Sequence, residues 1–275
     1  MPKYGMVIDL QKCVGCGACA IACKTENNTQ DRADGQTFNW ADFIMKEEGK
    51  FPNVKYTPMP VLCNHCTDAP CVKACPVTPK AMFKTADGIT MHSDERCIGC
   101  QRCQKACPYS TTDAVKDKVA YSVLSFNAHG GTTHPFYKDA KELIPRCTSS
   151  GAEIAKTAGD TPPHRTLYKH PEYEDVRRSG ITEKCIFCEH RVKKGELPYC
   201  VVSCPAGARI FGDLSDPNSE PSKALKAHKA VQLKNNKGDL LKAGEKGTQP
   251  NVYYIRNFKG EAKKMAAASP AKAKK

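Results

Sequence analysis

The sequence predicts an α+β fold in which short strands and short helices frame cysteine-bearing loops. Three observations carry that prediction. Sixteen of the seventeen cysteines fall into four tight groups of four, spanning eleven, thirteen, eleven and twenty residues. Short β-branched and aromatic stretches flank the groups, and an alanine-rich stretch of helical character follows the third cysteine. Hydrophobic residues make up 40% of the 275 and aromatics only 7%, a thin supply for a core, so something other than side-chain packing staples the fold.

Along the chain, Tyr4–Asp9 reads as a strand leading into group I, Cys13-x2-Cys16-x2-Cys19-x3-Cys23, whose Ala20-Ile21-Ala22-Cys23 opens a short helix. Group II is Cys63-x2-Cys66-x4-Cys71-x3-Cys75. After it, Ala81–Lys84 and Gly88–His92 flank Ala86-Asp87-Gly88 as a hairpin. Group III, Cys97-x2-Cys100-x2-Cys103-x3-Cys107, repeats the spacing of group I and is followed by a strand-like Tyr121–Phe126. The 77 residues from Pro108 to Lys184 are too many for a simple connection, and their Gly-, Pro-, His- and Thr-rich part reads as an inserted surface excursion. Group IV, Cys185-x2-Cys188-x11-Cys200-x3-Cys204, precedes two further strands at Ala208–Leu214 and Val252–Phe258. A basic, alanine-rich tail reads as disordered.

Disulfides, structural zinc and iron–sulfur clusters are the candidate staples, and cysteine grouping separates them. Disulfide frameworks spread their cysteines to close long loops, and neighbours three residues apart bridge poorly. Zinc takes two pairs, which leaves the closely following third cysteine of groups I and III unexplained. An iron–sulfur cube needs three ligands from one compact loop and a fourth from elsewhere. Cys-x2-Cys-x2-Cys meets the first need, and the last cysteine of a group, on the helix, can cross to a neighbouring cluster. Cys75-Pro76, Cys107-Pro108 and Cys204-Pro205 end as bacterial two-cluster ferredoxin runs do, whereas group I ends Cys23-Lys24. Four [4Fe–4S] clusters are the expectation.

The formal charge of +13 would ordinarily suggest nucleic acid or anionic lipid. Four clusters with their thiolates subtract about eight charges, and the segment Glu261 to Lys275 supplies five Lys against one Glu of the remainder. The folded body is thus nearly neutral, and no nucleic-acid partner is expected. No export signal precedes Tyr4, and no stretch reaches the ~18 apolar residues of a membrane span. Cys147 stands outside the motifs and reads as a free thiol. His65 and His190 read as residues near the ligands, either hydrogen-bonded or exposed, and Trp40 as a packing residue.

Several stretches resemble the four-cluster electron-transfer (β) subunits of respiratory molybdopterin oxidoreductases, the dimethyl sulfoxide reductase superfamily. They are Gly5 to Cys16, Leu62 to Cys71, Cys97-Ile98-Gly99-Cys100, Glu183 to Arg191, and the long Cys188-to-Cys200 spacer. Ala22 to Thr29 is most similar to subunits paired with arsenate, polysulfide, thiosulfate or tetrathionate reductases. The resemblance implies that Cys13, Cys16, Cys19 and Cys204 hold one cluster and Cys185, Cys188, Cys200 and Cys23 its neighbour. Cys63, Cys66, Cys71 and Cys107 then hold a third, and Cys97, Cys100, Cys103 and Cys75 the fourth.

Two interlocked ferredoxin-like modules with loop insertions follow: residues 1–60 with 181–259, and 61–126 inserted within them, leaving 127–180 as the surface segment and 260–275 as the tail. The implied function is conduction between a molybdopterin-containing catalytic subunit and a membrane quinol-handling subunit or cytochrome, with no catalysis by this chain itself. A self-contained iron–sulfur reductase and a zinc-binding interaction module are the alternatives. Lys12, Lys24, Arg96, Arg102, Lys105 and Lys184 lie beside ligands and are candidates for raising cluster potentials. The expected location is extracytoplasmic, by export together with a signal-bearing partner, with a cytoplasmic one as the alternative.

Overall fold

A computed structural model describes residues 1–29, 40–110, 123–127, 135–142, 144–159, 178–235 and 248–256. The tail, most of the inserted excursion, residues 121 and 122 of one expected strand, and the last two residues of Val252–Phe258 lie outside these.

β1 (Tyr4–Asp9) has Met6, Val7 and Ile8 wholly buried, and both of its faces are covered. α1 (Ala18–Asn27) follows, and then β2 (Ala41–Lys50) and β3 (Asn53–Leu62) form an antiparallel hairpin. α2 (Pro70–Ala74), the hairpin β4 (Met82–Lys84) with β5 (Thr90–His92), and α3 (Arg102–Ala106) come next. β6 (Leu124–Asn127) is followed by a 3₁₀ turn over Pro135–Lys138 and by α4 (Gly151–Ala158). β7 (Ile181–Lys184) then pairs antiparallel with β6, so the excursion leaves and returns side by side. α5 (Glu189–Val192), α6 (Tyr199–Val202), β8 (Arg209–Asp213), α7 (Glu220–Ala227) and β9 (Val252–Ile255) complete the described elements.

The three strands read at positions 4, 208 and 252 join in one sheet, with β1 central, antiparallel to β8 and parallel to β9. Backbone bonds from Asn251 to Asn64 (2.9 Å) and from Thr67 to Gln249 (2.9 Å) tie the approach to β9 to the group II loop. The mixed helix and strand content agrees with the sequence reading. The β2–β3 hairpin does not appear in that reading, because Pro58 and Pro60 argue against a strand. A two-stranded ribbon has no further strand on its outer sides, so a proline whose N–H side faces outward removes no ladder bond, and Pro58 and Pro60, two residues apart, share one side.

Helix length explains where the fourth cysteines sit. The third cysteine is the second residue of each of four helices: Cys19 in α1, Cys71 in α2, Cys103 in α3 and Cys200 in α6. The residue before proline is driven out of the α region, so Cys75 and Cys107 are extended, at ψ 120° and 116°, and α2 and α3 stop there. Cys204 lies beyond α6. The expectation of a fourth cysteine on the helix therefore holds only for group I, where Lys24 replaces proline and α1 runs on to Asn27. α1 packs on α6 and α2 on α3, which brings groups I and IV together, and II and III.

Gly99 sits at φ +70°, and a Cβ there would overlap the Gly180 carbonyl oxygen. Gly99→Ala is expected to cost at least about 2 kcal/mol, from left-handed strain plus steric displacement. An unchanged thermal unfolding midpoint would contradict this.

Candidate iron–sulfur centres

The structure gathers the sixteen motif thiols into four places. Cys13, Cys16, Cys19 and Cys204 line one cavity, walled by Ile8 and Phe43. Cys75, Cys97, Cys100 and Cys103 line a second, with His92 and Thr182. Cys63, Cys66, Cys71 and Cys107 line a third, beside Tyr109 and Leu124. Cys23, Cys185, Cys188 and Cys200 are mutually close, each of the last three contributing to the electrostatic field at Cys23. All of these thiols are free of disulfides.

Burial grades the four places. Cys16 and Cys100 are exposed, and Cys13, Cys97 and Cys204 are half-buried. Every thiol of the Cys63 and Cys185 sets is buried. Neighbouring sets sense one another across three gaps. Cys19 acts on Cys200, Cys63 on Cys185, and Cys71 on Cys103. These influences link the first set to the Cys185 set, that set to the Cys63 set, and that one to the set holding Cys100.

Thiols so placed are poor hosts for free negative charge. Burial pushes Cys71 up to about 11 and Cys188 and Cys103 up to about 12, with neighbouring cysteines adding to it. Burial likewise pushes Cys66, Cys107, Cys23 and Cys185 well above the ordinary thiol value. Cys75 goes the other way, because the backbone amides of Met82, Val77 and Ala81 and the Lys80 ammonium outweigh burial. Four soft thiols converging on one apolar recess suit an iron–sulfur core, whose cationic iron removes the repulsion that thiolates alone would face.

The residues around the thiols supply donors. The amides of Phe187, Thr182 and Ala208 point at Cys185 Sγ (3.4 Å), Cys97 Sγ (3.5 Å) and Cys204 Sγ (3.2 Å). Asn27, carried by the longer α1, donates from Nδ2 toward Cys23 Sγ (3.7 Å) and Cys188 Sγ (3.8 Å). Donors to sulfur stabilise the reduced, more negative cluster. Asn27→Leu is expected to lower the potential of the cluster at Cys23 by a few tens of millivolts, on the order of one weak hydrogen bond. An unmoved midpoint in a redox titration followed by electron paramagnetic resonance would contradict this.

Of the six basic residues read as tuning candidates, only Lys184 is buried. Its ammonium donates to the carbonyl oxygens of Thr90 and Cys185, the latter at 2.6 Å. Lys12, Arg102 and Lys105 are exposed, Lys24 is half-buried, and Arg96 lies 4.7 Å over the Phe83 ring.

Two cations escaped the sequence reading. Lys84 donates to the carbonyl oxygens of Cys66 (2.8 Å) and Gly88 (2.7 Å). Arg209, 3% exposed, lines the first cavity and reaches Met6 Sδ (3.6 Å) and Cys200 Sγ (4.0 Å), while its charge also acts on Cys13. A cation directly before the apolar Ile210 and Phe211 was the available signal.

His65 is fully buried and stacks on Phe187. Burial, then the charges of Lys184 and Lys84, holds its pKa well below the ordinary imidazole value. His190 pairs with Glu26 (2.8 Å), linking α5 to α1. Trp40 is 2% exposed and meets His92 edge to face (5.3 Å), a packing role. Cys147 is exposed.

Comparison with known proteins adds to this geometry. A 4Fe-4S dicluster domain family matches residues 54–125 and 160–214, and a 4Fe-4S binding domain family matches residues 4–25. The chain is 46% identical to the arsenate respiratory reductase iron–sulfur subunit of Shewanella sp. (strain ANA-3), over 93% of this chain and 97% of that one. It is 34% identical to a selenate reductase subunit of Mesobacillus selenatarsenatis, over 92% of this chain and 72% of that one. It is 32% identical to a tetrathionate reductase subunit of Salmonella typhimurium, with the same two coverages.

Proposed function

From its membership of the iron–sulfur electron-transfer (β) subunits of molybdopterin oxidoreductases, to which this chain belongs, we propose that it conducts electrons through four [4Fe–4S] clusters set in a row. Catalysis belongs to a partner subunit. Each cluster, when bound, takes and gives one electron at a time. The first is held by Cys13, Cys16, Cys19 and Cys204, the second by Cys185, Cys188, Cys200 and Cys23. The third is held by Cys63, Cys66, Cys71 and Cys107, the fourth by Cys97, Cys100, Cys103 and Cys75.

The grading of burial along the row is the observation that carries this reading. Exposed sulfur at both ends, at Cys16 and Cys100, offers two exchange points, and the buried inner sets keep water from the middle of the path. Groups I and IV then make one module, residues 1–60 with 181–259, and groups II and III the other, residues 61–126. The packing of α1 on α6 and of α2 on α3 supports that division.

One end faces a molybdopterin-containing subunit that reduces an oxyanion, with arsenate favoured by the 46% identity over nearly the whole length of that relative. The other faces a membrane quinol-handling subunit or cytochrome. No helix among the described residues is long and apolar enough to cross a membrane, so the membrane is reached through that partner. The assembly works on the extracytoplasmic side.

Crossed ligation gives the test. Cys204→Ser and Cys16→Ser are expected to alter the same resonance signal of the reduced holoprotein, and Cys23→Ser the signal altered by Cys188→Ser. If Cys204→Ser instead altered the signal of Cys200→Ser, the crossed sets would be wrong.

A further inference from the structure

The four Cys-x2-Cys turns share a local geometry that two of them reach at a cost. The residue before the second cysteine has positive φ in each: Gly15 at 67°, His65 at 43°, Gly99 at 70° and Phe187 at 53°. Glycine takes this conformation freely, whereas for a residue with a Cβ it costs about 1–2 kcal/mol. Strain of this kind persists where the surroundings fix it, and it gathers at functional positions. The two strained residues meet each other. Their rings are stacked with centroids 3.6 Å apart and planes 15° apart, and both are buried, at 0% and 1% exposure.

His65 lies between Cys63 and Cys66, and Phe187 between Cys185 and Cys188. The stack therefore sits where the two inner thiol sets face each other. Thr90, in β5, fixes the ring further, because its backbone N–H donates to His65 Nδ1 at 3.2 Å. A nitrogen that accepts carries no proton, so the hydrogen bond from Thr90 puts the ring proton on Nε2. Nε2 is buried and has no hydrogen-bond partner among the described residues. A buried N–H left unbonded costs about 1–3 kcal/mol, and the loop bearing it is otherwise lined by cluster ligands.

We propose that His65, clamped between Thr90 and Phe187, donates its Nε2–H to a sulfur of an inner cluster and thereby sets that cluster's reduction potential. Phe187 is a positioning residue in this arrangement, since its ring fixes the plane in which the N–H points. The donation stabilises the extra negative charge of the reduced cluster and so raises its potential. The polar contact is made at the middle of the row, so it governs how readily an electron passes from one half of the chain to the other. This rests on the ligand sets proposed above.

The test uses the reconstituted holoprotein, with iron and acid-labile sulfide counted before each redox titration followed by electron paramagnetic resonance. In His65→Leu and His65→Gly the iron count is expected to stay at the wild-type value. Glycine already fills the equivalent positions 15 and 99, so the second variant fits the turn without strain. In both, one midpoint falls, raising the ratio of oxidised to reduced cluster about tenfold at fixed ambient potential, equal to about 59 mV for one electron.

His65→Asn retains a donor and is expected to recover part of that shift, and Phe187→Leu to show a smaller fall in the same midpoint. Unchanged midpoints in His65→Leu and His65→Gly at full iron content would overturn the proposal. So would loss of iron in His65→Gly, which would assign the ring to assembly instead. A wild-type protein short of four clusters would count against the ligand sets, an outcome read separately from the iron count.

Discussion

Replacing Arg209 by methionine is expected to lower two cluster potentials at once, each by on the order of 100 mV. The guanidinium is buried between the Cys13 and Cys185 sets, 4.0 Å from Cys200 Sγ and acting also on Cys13. A unit charge about 6 Å from a cluster, at an effective dielectric near 20, contributes roughly 3 kcal/mol, which is on the order of 100 mV for one electron. Methionine keeps most of the volume and removes the charge. Arg209→Lys keeps the charge and is expected to restore most of both potentials. Redox titration of the holoprotein checks this, and a shift confined to one cluster, or none, would contradict a shared cation.

Removing the iron is expected to unfold the protein. Eleven of the sixteen motif cysteines are buried, and they form a large part of the hydrophobic core beside Met6, Ile8, Leu62 and Phe187. Without metal the thiols are protonated and neutral, the bonds that tie four chain segments to each core are gone, and the recesses the thiols line lose their filling. Ligation contributes on the order of the whole ~5–15 kcal/mol stability of a domain. Chelation under oxidising conditions should therefore abolish the cooperative thermal transition and much of the far-ultraviolet circular dichroism. A chelated protein that kept a sharp transition would show that packing alone holds the fold.

The cysteines were legible because ligation imposes spacing within a single loop. Groups I and III could be read from repetition alone, and the strands at Tyr4, Ala208 and Val252 from β-branched and aromatic runs. Their joining in one sheet, with parallel β1 and β9, is a long-range pairing that no local pattern carries. The β2–β3 hairpin was hidden by its two prolines, which a strand tolerates where its N–H side faces no neighbour.

Arg209 was missed for a related reason. It is five residues from the nearest motif cysteine in sequence, and the pairing of Ile8 with Arg209 is the long-range contact that fixes the strand which holds it against Cys200. Five of the six basic residues beside motif cysteines stay out of the buried interior, since adjacency along a chain does not fix the side of the backbone to which a side chain turns. Asn27 became a donor to two sulfurs because Lys24 takes the place that proline holds in the other groups and lets the helix continue.

The central claim is that sixteen cysteines hold four cubes. Quantifying iron and acid-labile sulfide in anaerobically purified protein tests it most directly. About sixteen iron and about sixteen sulfide per chain, with no zinc, is the predicted result. About eight iron, or zinc in place of iron, would contradict it.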